Sequence, residues 1–437
     1  MKALYKIIPL ILCFFTQPLF AQELMTVQDA VRIGLANNYD IKVSESNVLI
    51  AKENVTYGNA GMLPSAALNL SQSNSRQNTT QTQATGEVRS LDNAKNNNIS
   101  YGVSLGWTIF DGFGMFARYE TLKELEKQGN LQLKSTIVAR VSDIITTYYT
   151  IVEQQNLLNA IDSSILISKE RLRTAENRFS IGKASRLEVL NVQVNLNTDE
   201  SAKLRQLDVV KNLKTTLNSL IARPLDMEFS VVSEVIIDQD LKYADLIHRA
   251  KESNPDLLAV NLNKKIAELE LKTVKANRYP IIRLNGGYNI SESESSLGFV
   301  AQSNSKGLNY GLTASMNIFD GFNQRRNERI SKIRIDQADL QYKNQLLKLE
   351  TALLQAFQSY TTNIALSKLE ETNEQIARQN LNITLDKYRI GTLSAVEFRD
   401  AQENFINAIS RMNAARLQAK LSEAYLKELV GQVDLIN

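Results

Sequence analysis

The sequence predicts a mainly α-helical fold that also contains transmembrane β-strands and is built by internal duplication. Two pairs of phrases recur at an offset of 209 residues, Trp107–Phe113 with Met316–Phe322 and Phe179–Glu188 with Tyr388–Glu397. Two segments of about 65 residues lack proline and repeat apolar residues every three or four positions, as helices do. Four short segments alternate apolar with small polar residues, which is the period of a β-strand.

The chain begins with Met1–Ala21, which is predicted to be a secretory signal peptide. Lys2 and Lys6 precede an apolar run that ends at Phe15 and is too short to span a membrane. The only cysteine, Cys13, lies in this run, so a mature chain would have no disulfide and no thiolate metal ligand. Removing the two lysines from 50 basic residues leaves 48 against 47 acidic ones, which gives no electrostatic case for nucleic-acid binding.

The duplication divides the predicted mature chain into two repeats, 22–222 and 243–437, joined by a linker at 223–242. An earlier match, which pairs Pro64 with Pro280, has an offset of 216 rather than 209. The first copy therefore has seven more residues in the polar segment between Pro64 and Tyr101. A duplication this regular favours a symmetric scaffold over a single catalytic cleft.

The two proline-free segments, Phe116–Arg178 and Asn323–Lys387, predict helices on the order of 100 Å long at a rise of about 1.5 Å per residue. Helices of that length exceed any globular core, and their apolar spacing is typical of coiled-coil packing. Four shorter amphipathic helical stretches are predicted at Val27–Asn59, Leu187–Ile221, Leu246–Asn277 and Val396–Val430.

The alternating segments predict four strands, each with one apolar face and one face of Gly, Ser, Thr and Asn. They lie at Ala66–Leu70, Ser100–Ile109, Ile282–Ile290 and Asn309–Ile318. A soluble sheet with one solvated face is the simpler alternative. Three observations favour a membrane barrel. The face of small polar residues suits a water-filled lumen, and aromatic residues lie near the ends of the apolar face. Long polar loops, 71–98 and 291–307, also join the two strands of each predicted pair. Because four strands cannot close a barrel, the chain is expected to oligomerise.

The predicted order of elements is helix, hairpin, long helix, tip and helix, repeated once. This order resembles that of the TolC-like outer-membrane efflux proteins. The resemblance covers almost the whole mature chain. Its most specific elements are Phe110-Asp111-Gly112, Phe319-Asp320-Gly321 and the two tip phrases Tyr/Phe-x-x-Gly-x-x-Ser. It implies a homotrimer whose twelve strands form one β-barrel in the outer membrane, continuous with a helical tunnel through the periplasm. It also implies that a periplasmic adaptor of an inner-membrane pump or secretion system docks at the tips.

Two kinds of turn are predicted at the ends of the long helices. Asp111 and Asp320 are expected to N-cap the helix that follows, next to glycines that permit the turn. Gly182 and Gly391 are expected to be helix C-caps with positive φ. The resemblance implies that the adaptor contacts the tip residues Gly182, Lys183, Ser185, Gly391, Thr392 and Ser394.

Both tips contain a Ser-x-x-Glu capping box that ends at Glu188 and Glu397, so capping competes with any gating role of these carboxylates. Asp400 lies three residues after Glu397, on the same helix face and outside the box. By resemblance Glu397 and Asp400 match an acidic ring at the tunnel entrance, which would favour cations and raise its own pKa values. Asn191 occupies the position of Asp400 in the first copy.

The resemblance further implies a lock that keeps the entrance closed, in which a tip tyrosine and an arginine bond to a neighbouring helix. Tyr388 matches the tyrosine and Glu188 matches an acidic partner, but Leu393 stands where the arginine would be. Arg186 and Arg389 are the candidate substitutes for that arginine.

Enzymatic activity is not expected, because the chain has no Gly-rich phosphate loop, no His/Cys cluster and no nucleophile close to a base. The single histidine, His248, is expected to be a packing or surface residue. No cofactor and no metal site are predicted. The predicted function is an outer-membrane exit duct, and the alternative is a periplasmic or secreted coiled-coil interaction protein such as an adaptor, which would leave the duplicated strands unexplained.

Overall fold

The computed structural model describes residues 23–296 and 300–432, so the predicted signal peptide lies outside the described residues. The first repeat contains β1 (Glu23–Met25), α1 (Val27–Asn37), α2 (Tyr39–Glu53), β2 (Ser65–Thr82), β3 (Val88–Asp111), α3 (Gly114–Ser180) and α4 (Arg186–Leu220). The segment predicted as a linker contains β4 (Phe229–Val231), which pairs in parallel with β1. The second repeat contains α5 (Tyr243–Ser253), α6 (Pro255–Ala276), β5 (Ile281–Ser295), β6 (Gln302–Ser315), α7 (Asn323–Arg389) and α8 (Ala395–Val430).

The two long helices confirm the prediction from periodicity. Helices α3 and α7 each have 67 residues, which corresponds to roughly 100 Å at the usual rise. Both their first and their last residues are related by the offset of 209 found in the sequence. None of the helices in the described part of the chain combines the length and apolarity needed to cross a membrane.

Each predicted amphipathic stretch before a hairpin is two helices rather than one. The break falls at Asn38 in the first repeat and at Asn254 in the second. The side-chain oxygen of each asparagine caps the helix that follows, accepting from Asp40 N at 2.9 Å and Leu257 N at 2.8 Å. Each side-chain amide also donates to a carbonyl at the end of its own repeat's last helix, at 2.7 and 2.9 Å. The asparagines therefore join the start of each repeat to its end.

The strands are longer than the sequence pattern predicts. Most of the segment 71–98, predicted as a loop, continues β2 and β3, and only residues 83–87 connect them. The ladder persists because Ser, Thr, Asn and Gln pair their backbones without the apolar alternation that made the other strands visible in the sequence. Similarly, β5 extends to Ser295 and β6 starts at Gln302, whereas the predicted strand end at Met316–Ile318 is irregular.

Strands β2, β3, β5 and β6 form one antiparallel sheet in the order β2-β3-β5-β6, and its register sorts residues by polarity. One cross-strand row consists of Leu68, Val103, Tyr288 and Leu308. The adjacent row, which faces the other side, consists of Asn69, Gly102, Asn289 and Gly307. A cavity of about 460 Å³ opens against the polar face, between residues that include Ser65, Ser104 and Asn285.

The helices form a layer that continues the order of the strands. Helices α2 and α4 pack on α3, α3 also packs on α6 and α8, and α7 packs on α6 and α8. The pair α2 and α4 thus lies at one end of the layer and α7 at the other. These are the same two sides on which β2 and β6 form the edges of the sheet.

The linker between the repeats is fastened to the middle of the helical layer by buried polar groups. Tyr148 of α3 accepts from Val232 N at 3.0 Å, and Tyr360 of α7 donates to the carbonyl of Asp238. Asp238 N donates to Glu423 of α8 at 3.1 Å. The same carboxylate accepts from the ammonium groups of two lysines, Lys420 at 3.0 and 3.1 Å and Lys427 at 2.8 Å, and all three ionic side chains are almost fully buried.

Candidate functional site

Both helical tips have the same C-terminal turn. In the first, Gly182 has φ of 76° and donates to Phe179 O at 3.0 Å, while Lys183 N donates to Arg178 O at 2.8 Å. This pair of bonds is the Schellman arrangement, in which the left-handed residue is nearly always glycine. No described atom lies within 4 Å of the position that a Cβ on Gly182 would occupy, so this side of the turn is open.

The second tip repeats this geometry with Gly391 at φ of 82° and Thr392 N donating to Lys387 O at 3.0 Å. Here too the space beside the glycine is open. The predicted positive-φ caps are therefore confirmed at both tips. The docking role of the tip residues remains a prediction.

The capping box is complete at only one tip. Glu397 N donates to Ser394 Oγ at 3.3 Å, and Ser394 N donates to the Glu397 carboxylate at 3.0 Å. Hydrogen bonds from the side chain and the backbone of Ser394 lower the pKa of Glu397. In the first tip, Glu188 N donates to Ser185 Oγ at 3.2 Å, but the Glu188 carboxylate lies 3.6 Å from Arg178 Nη1 instead of closing the box. The predicted capping box is therefore wrong in part at Glu188: the serine side chain caps the helix, but the glutamate side chain does not bond back to the serine.

Asp400 is an exposed carboxylate on the first turns of α8. Among residues 23–296 and 300–432 it has no hydrogen-bond or salt-bridge partner. Its position on the helix is not required for capping, in contrast to Glu397. It is thus the acidic residue of the second tip with no local structural task.

Tyr388 is buried at the base of the second tip, with 1% of its surface exposed. Its ring packs on Phe398, with 5.5 Å between the centroids, and Leu393 packs against the same apolar cluster. Burial raises the pKa of Tyr388. Tyr388 and Glu188 share a neighbour in Arg178, whose guanidinium lies 5.9 Å from the Tyr388 ring centroid. Within one chain, the pair is bridged rather than directly bonded.

Neither candidate substitute for the missing lock arginine connects the two repeats in the described residues. Arg389 lies 3.6 Å from Asp386 of its own helix, and Arg186 stacks on Phe179 of its own repeat, 5.8 Å from the ring centroid. Both side chains are exposed.

The connection between the repeats near the tips is made by residues that the sequence reasoning missed. Arg399 of α8 donates to Asp199 of α4 at 2.8 Å, and the two side chains are only 18% and 10% exposed. Asp199 also accepts from Ser168 of α3 at 2.7 Å, and Gln402 of α8 donates to Ser168 at 2.9 Å. A polar network therefore ties α3, α4 and α8 together near the tips.

A signal for this network exists in the sequence. At the offset of 209, Arg399 corresponds to Leu190 and Asp199 corresponds to Ala408. An apolar residue in one copy and a charge in the other indicates a position where the repeats do different things.

The strand-to-helix turns use a different cap from the one predicted. The N-cap residues are Phe113 and Phe322, both left-handed with φ of 69° and 65°, and neither makes a side-chain cap. Asp111 lies two residues earlier, yet its carboxylate accepts from Met115 N at 3.0 Å, as Asp320 does from Gln324 N at 2.7 Å. The predicted N-caps are therefore wrong by position, because Gly112 and Gly321 are followed by a second left-handed residue that displaces the helix start.

The phenylalanine of each Phe-Asp-Gly phrase has a packing role. Phe110 meets Phe113 edge to face with 5.2 Å between centroids, and Phe319 meets Phe322 in the same way at 5.4 Å. Such pairs stabilise by about 0.5–1.5 kcal/mol beyond burial. The two junctions are therefore copies of one another in packing as well as in sequence.

No cluster of three or more His, Cys, Asp or Glu residues that could hold a metal ion occurs among the described residues. His248 is 74% exposed and lies 3.5 Å from Glu252, which agrees with the surface position expected for it.

The sequence model of the outer membrane efflux protein family matches residues 31–223 and 246–432. The chain belongs to this family. Membership places it in the outer membrane and assigns it to efflux. Among curated relatives, the probable efflux pump outer membrane protein TtgC of Pseudomonas putida is 22% identical over 431 residues, covering 93% of this chain and 82% of the relative. The outer membrane protein TolC of Escherichia coli is 21% identical, covering 99% and 87%.

Solved outer-membrane channels share the fold. The CmeC channel of Campylobacter jejuni has a TM-score of 0.76 at 19% identity and covers 93% of this chain and 85% of that one. VceC of Vibrio cholerae has a TM-score of 0.71 at 15% identity and covers 93% and 96%. Relatives of this kind are named as channels and pump components, which favours the duct interpretation over a coiled-coil adaptor.

Proposed function

We propose that this protein is the outer-membrane exit duct of a tripartite efflux pump or type I secretion system. Three copies form a closed tube, an adaptor docked at the tips opens its periplasmic entrance, and the inner-membrane partner supplies the energy. The observation that carries the proposal is that one chain is an arc with two unfinished sides. Strand β2 and the α2/α4 end of the layer lie on one side, and β6 and α7 lie on the other.

The open side formed by α7 carries an apolar stripe at seven-residue spacing. Ile333, Leu340, Leu347 and Leu354 are all exposed in the single chain. A heptad stripe is the packing surface of a coiled coil, and exposed side chains in that register need a partner helix.

The opposite side offers the matching surface. Helices α2 and α4 also expose apolar residues, among them Val43, Ile50, Leu190 and Val194. Because the two surfaces differ, copies would join head to tail, an arrangement that closes into a ring. The join between the repeats inside one chain, β3 with β5 and α3 with α6, serves as the template for the join between chains, β6 with β2 and α7 with α2. Three chains give twelve strands with no open edge, as the resemblance implies.

At the periplasmic end we place the adaptor on the two exposed turns, at Gly182, Lys183 and Ser185 and at Gly391, Thr392 and Ser394. The entrance would be lined by Asp400 and Glu397 of each chain, with Glu188, Tyr388, Arg186 and Arg389 around it. The open space beside both tip glycines supports a docking surface.

Fractionation and assembly test this function. The protein should require detergent for extraction and should behave as a particle of three 49.1 kDa chains before any signal cleavage. Leu340→Arg should reduce the trimer fraction, whereas Gln341→Arg, a control about 100° further around the same helix, should not. Extraction by salt buffer alone, or a monomer in detergent, would rule out the duct.

A further inference from the structure

One charged side chain lies on the polar face of the sheet, in a row that pairs β3, β5 and β6. Arg283 has the same parity in β5 as Asn285 and Asn289, and its cross-strand partners are Thr108 of β3 and Thr313 of β6. The other polar-face residues in these rows are uncharged, mostly Gly, Ser, Thr and Asn, except Asp111 at the end of β3, which pairs with Ile281 and is held by Arg118 at 2.7 Å. Arg283 is therefore the charged side chain on this face that has no ionic partner in the described residues, and it lies two residues from the end of β5 nearest the helices.

The charge of Arg283 is not neutralised by its surroundings. In the described part of the chain it is exposed and makes no salt bridge or hydrogen bond. One neighbour, Thr313 Oγ1, is occupied by Asn285 Nδ2 at 3.1 Å. An arginine on the lipid face of a barrel would cost about 2–4 kcal/mol at the membrane midplane, whereas one facing water costs little. The position is thus compatible with a solvated lumen and leaves the guanidinium free to act on what passes.

The duplication shows that this arginine is specific to one repeat. The match between Pro64 and Pro280 sets an offset of 216, so Ala67 corresponds to Arg283. Ala67 pairs with Ser104 and so lies on the same polar face. An assembled tube would therefore alternate three arginines with three alanines at one level.

We propose that the three Arg283 side chains form a cationic ring at the periplasmic base of the barrel lumen, a filter that favours anions and solutes bearing carboxylate or phosphate groups. This inference rests on the trimeric duct proposed above. Rings of arginine or lysine select anions by the same electrostatics through which acidic rings select cations. The ring is opposite in charge to the entrance at Glu397 and Asp400, so a solute would meet two filters in series. Screening sets its reach, about 8 Å at physiological salt and about 30 Å at 0.01 M.

Reversal potentials of the purified protein in planar bilayers, in a potassium chloride gradient at low ionic strength, test the ring. Because the acidic entrance lies in series, each variant is also made with Glu397→Gln and Asp400→Asn. Arg283→Glu should raise the potassium-to-chloride permeability ratio by about twofold or more, with Arg283→Ala intermediate. Arg283→Ala combined with Ala67→Arg should restore the parent value, because three cations return to the same level. The shift should shrink near 1 M salt, where the screening length is about 3 Å.

The matched control is Lys306→Ala in β6, which pairs with Ile290 and so lies on the apolar face. It should leave the reversal potential unchanged. Channels that conduct normally but show the parent ratio for both Arg283 variants, in both backgrounds, would overturn the ring and leave the duct intact. Failure of the parent protein to form channels would overturn both.

Discussion

Arg399 of α8 and Asp199 of α4 form a salt bridge 2.8 Å long that joins the second repeat to the first. Both side chains are largely buried, and the arginine also donates to Glu403 at 2.6 Å. Because the two residues lie 200 positions apart, the contact constrains how far the two tips can separate.

Asp199→Asn should destabilise the fold by roughly 1.5–3 kcal/mol, because it removes the more buried of the two carboxylates that pair with the Arg399 guanidinium and leaves only Glu403. The tips should also become more sensitive to limited proteolysis. Urea unfolding measures the first effect, and a double-mutant cycle with Arg399→Leu isolates the pair. The control is Asp162→Asn, which removes an exposed α3–α4 pair with Lys203 and should cost less than about 1 kcal/mol. Equal costs at the two sites would contradict the interpretation.

Glu423→Ala should be among the most destabilising substitutions in the helical layer, at roughly 3–5 kcal/mol, because it leaves two buried lysines without the carboxylate that pairs with them. It also removes the acceptor for Asp238 N in the linker. The unfolding free energy in urea is the measurement. Glu371→Ala, which breaks an exposed pair with Arg416, is the control and should change stability little. A mild effect at Glu423 would mean that water reaches the lysines.

The capping box at Glu397 should make the second tip sensitive to acid. Bonds from Ser394 lower the pKa of this carboxyl in the folded state, so its stabilisation is present above the usual pKa of the group. That stabilisation is lost as the pH falls through the lowered pKa. Amide hydrogen exchange at the start of α8 should therefore accelerate in acid beyond its intrinsic pH dependence. Glu397→Gln keeps the box without a titrating group and should abolish the effect.

Asp400→Asn should reduce the cation preference of the channel, because it removes three exposed carboxylates from the proposed entrance ring. Asparagine is the residue found at the equivalent position of the first repeat, Asn191, so the fold should tolerate it. Reversal potentials measure the change. Asp386→Asn removes an exposed carboxylate that is paired with Arg389 and should leave selectivity unaltered. Unchanged selectivity for Asp400→Asn would remove this residue from the entrance.

Alanine substitutions of the equivalent glycines Gly112 and Gly321 should have different effects. A Cβ on Gly112 would meet the carbonyl oxygen of Ala276 at 2.2 Å, whereas the nearest atom for Gly321 in the described chain is 3.9 Å away. Repeat symmetry places Ala60 of a neighbouring copy where Ala276 lies. Gly112→Ala should therefore lower the stability of the protomer, and Gly321→Ala should chiefly lower the trimer fraction. Both have positive φ and share a conformational cost of roughly 1–2 kcal/mol. Normal assembly of Gly321→Ala would contradict the proposed join.

The elements that could be predicted are those fixed by local period. The long helices follow from apolar spacing alone, and the sheet faces follow from alternation, as the row containing Val103 and Tyr288 shows. The hairpin beyond Ser71 escaped because its polar residues give no alternation, although its backbone pairs up to Thr82. The alternation of apolar and polar residues indicates which side chains are buried. It does not indicate where backbone hydrogen bonds continue between exposed polar segments.

The site was less accessible to sequence reasoning. Gly182 and Gly391 were found because only a left-handed turn needs glycine there. Phe113 escaped because a left-handed phenylalanine leaves no such signature. The bond between Arg399 and Asp199 depends on which helices become neighbours, which one chain read in order does not reveal.

The unequal hairpins have a consequence at the far end of the molecule. Pairing between β3 and β5 stops at Asn96 and Ser295, while β2 and β3 continue to Thr82 and Val88. Eight residues of β3, paired with β2, thus extend beyond the β3–β5 pairing, on the order of 27 Å at the usual strand rise. In the assembled duct, three long β2–β3 hairpins would project at the outer mouth, separated by three shorter β5–β6 hairpins. The outer rim of the duct would therefore have threefold symmetry, although the barrel wall beneath it is nearly sixfold.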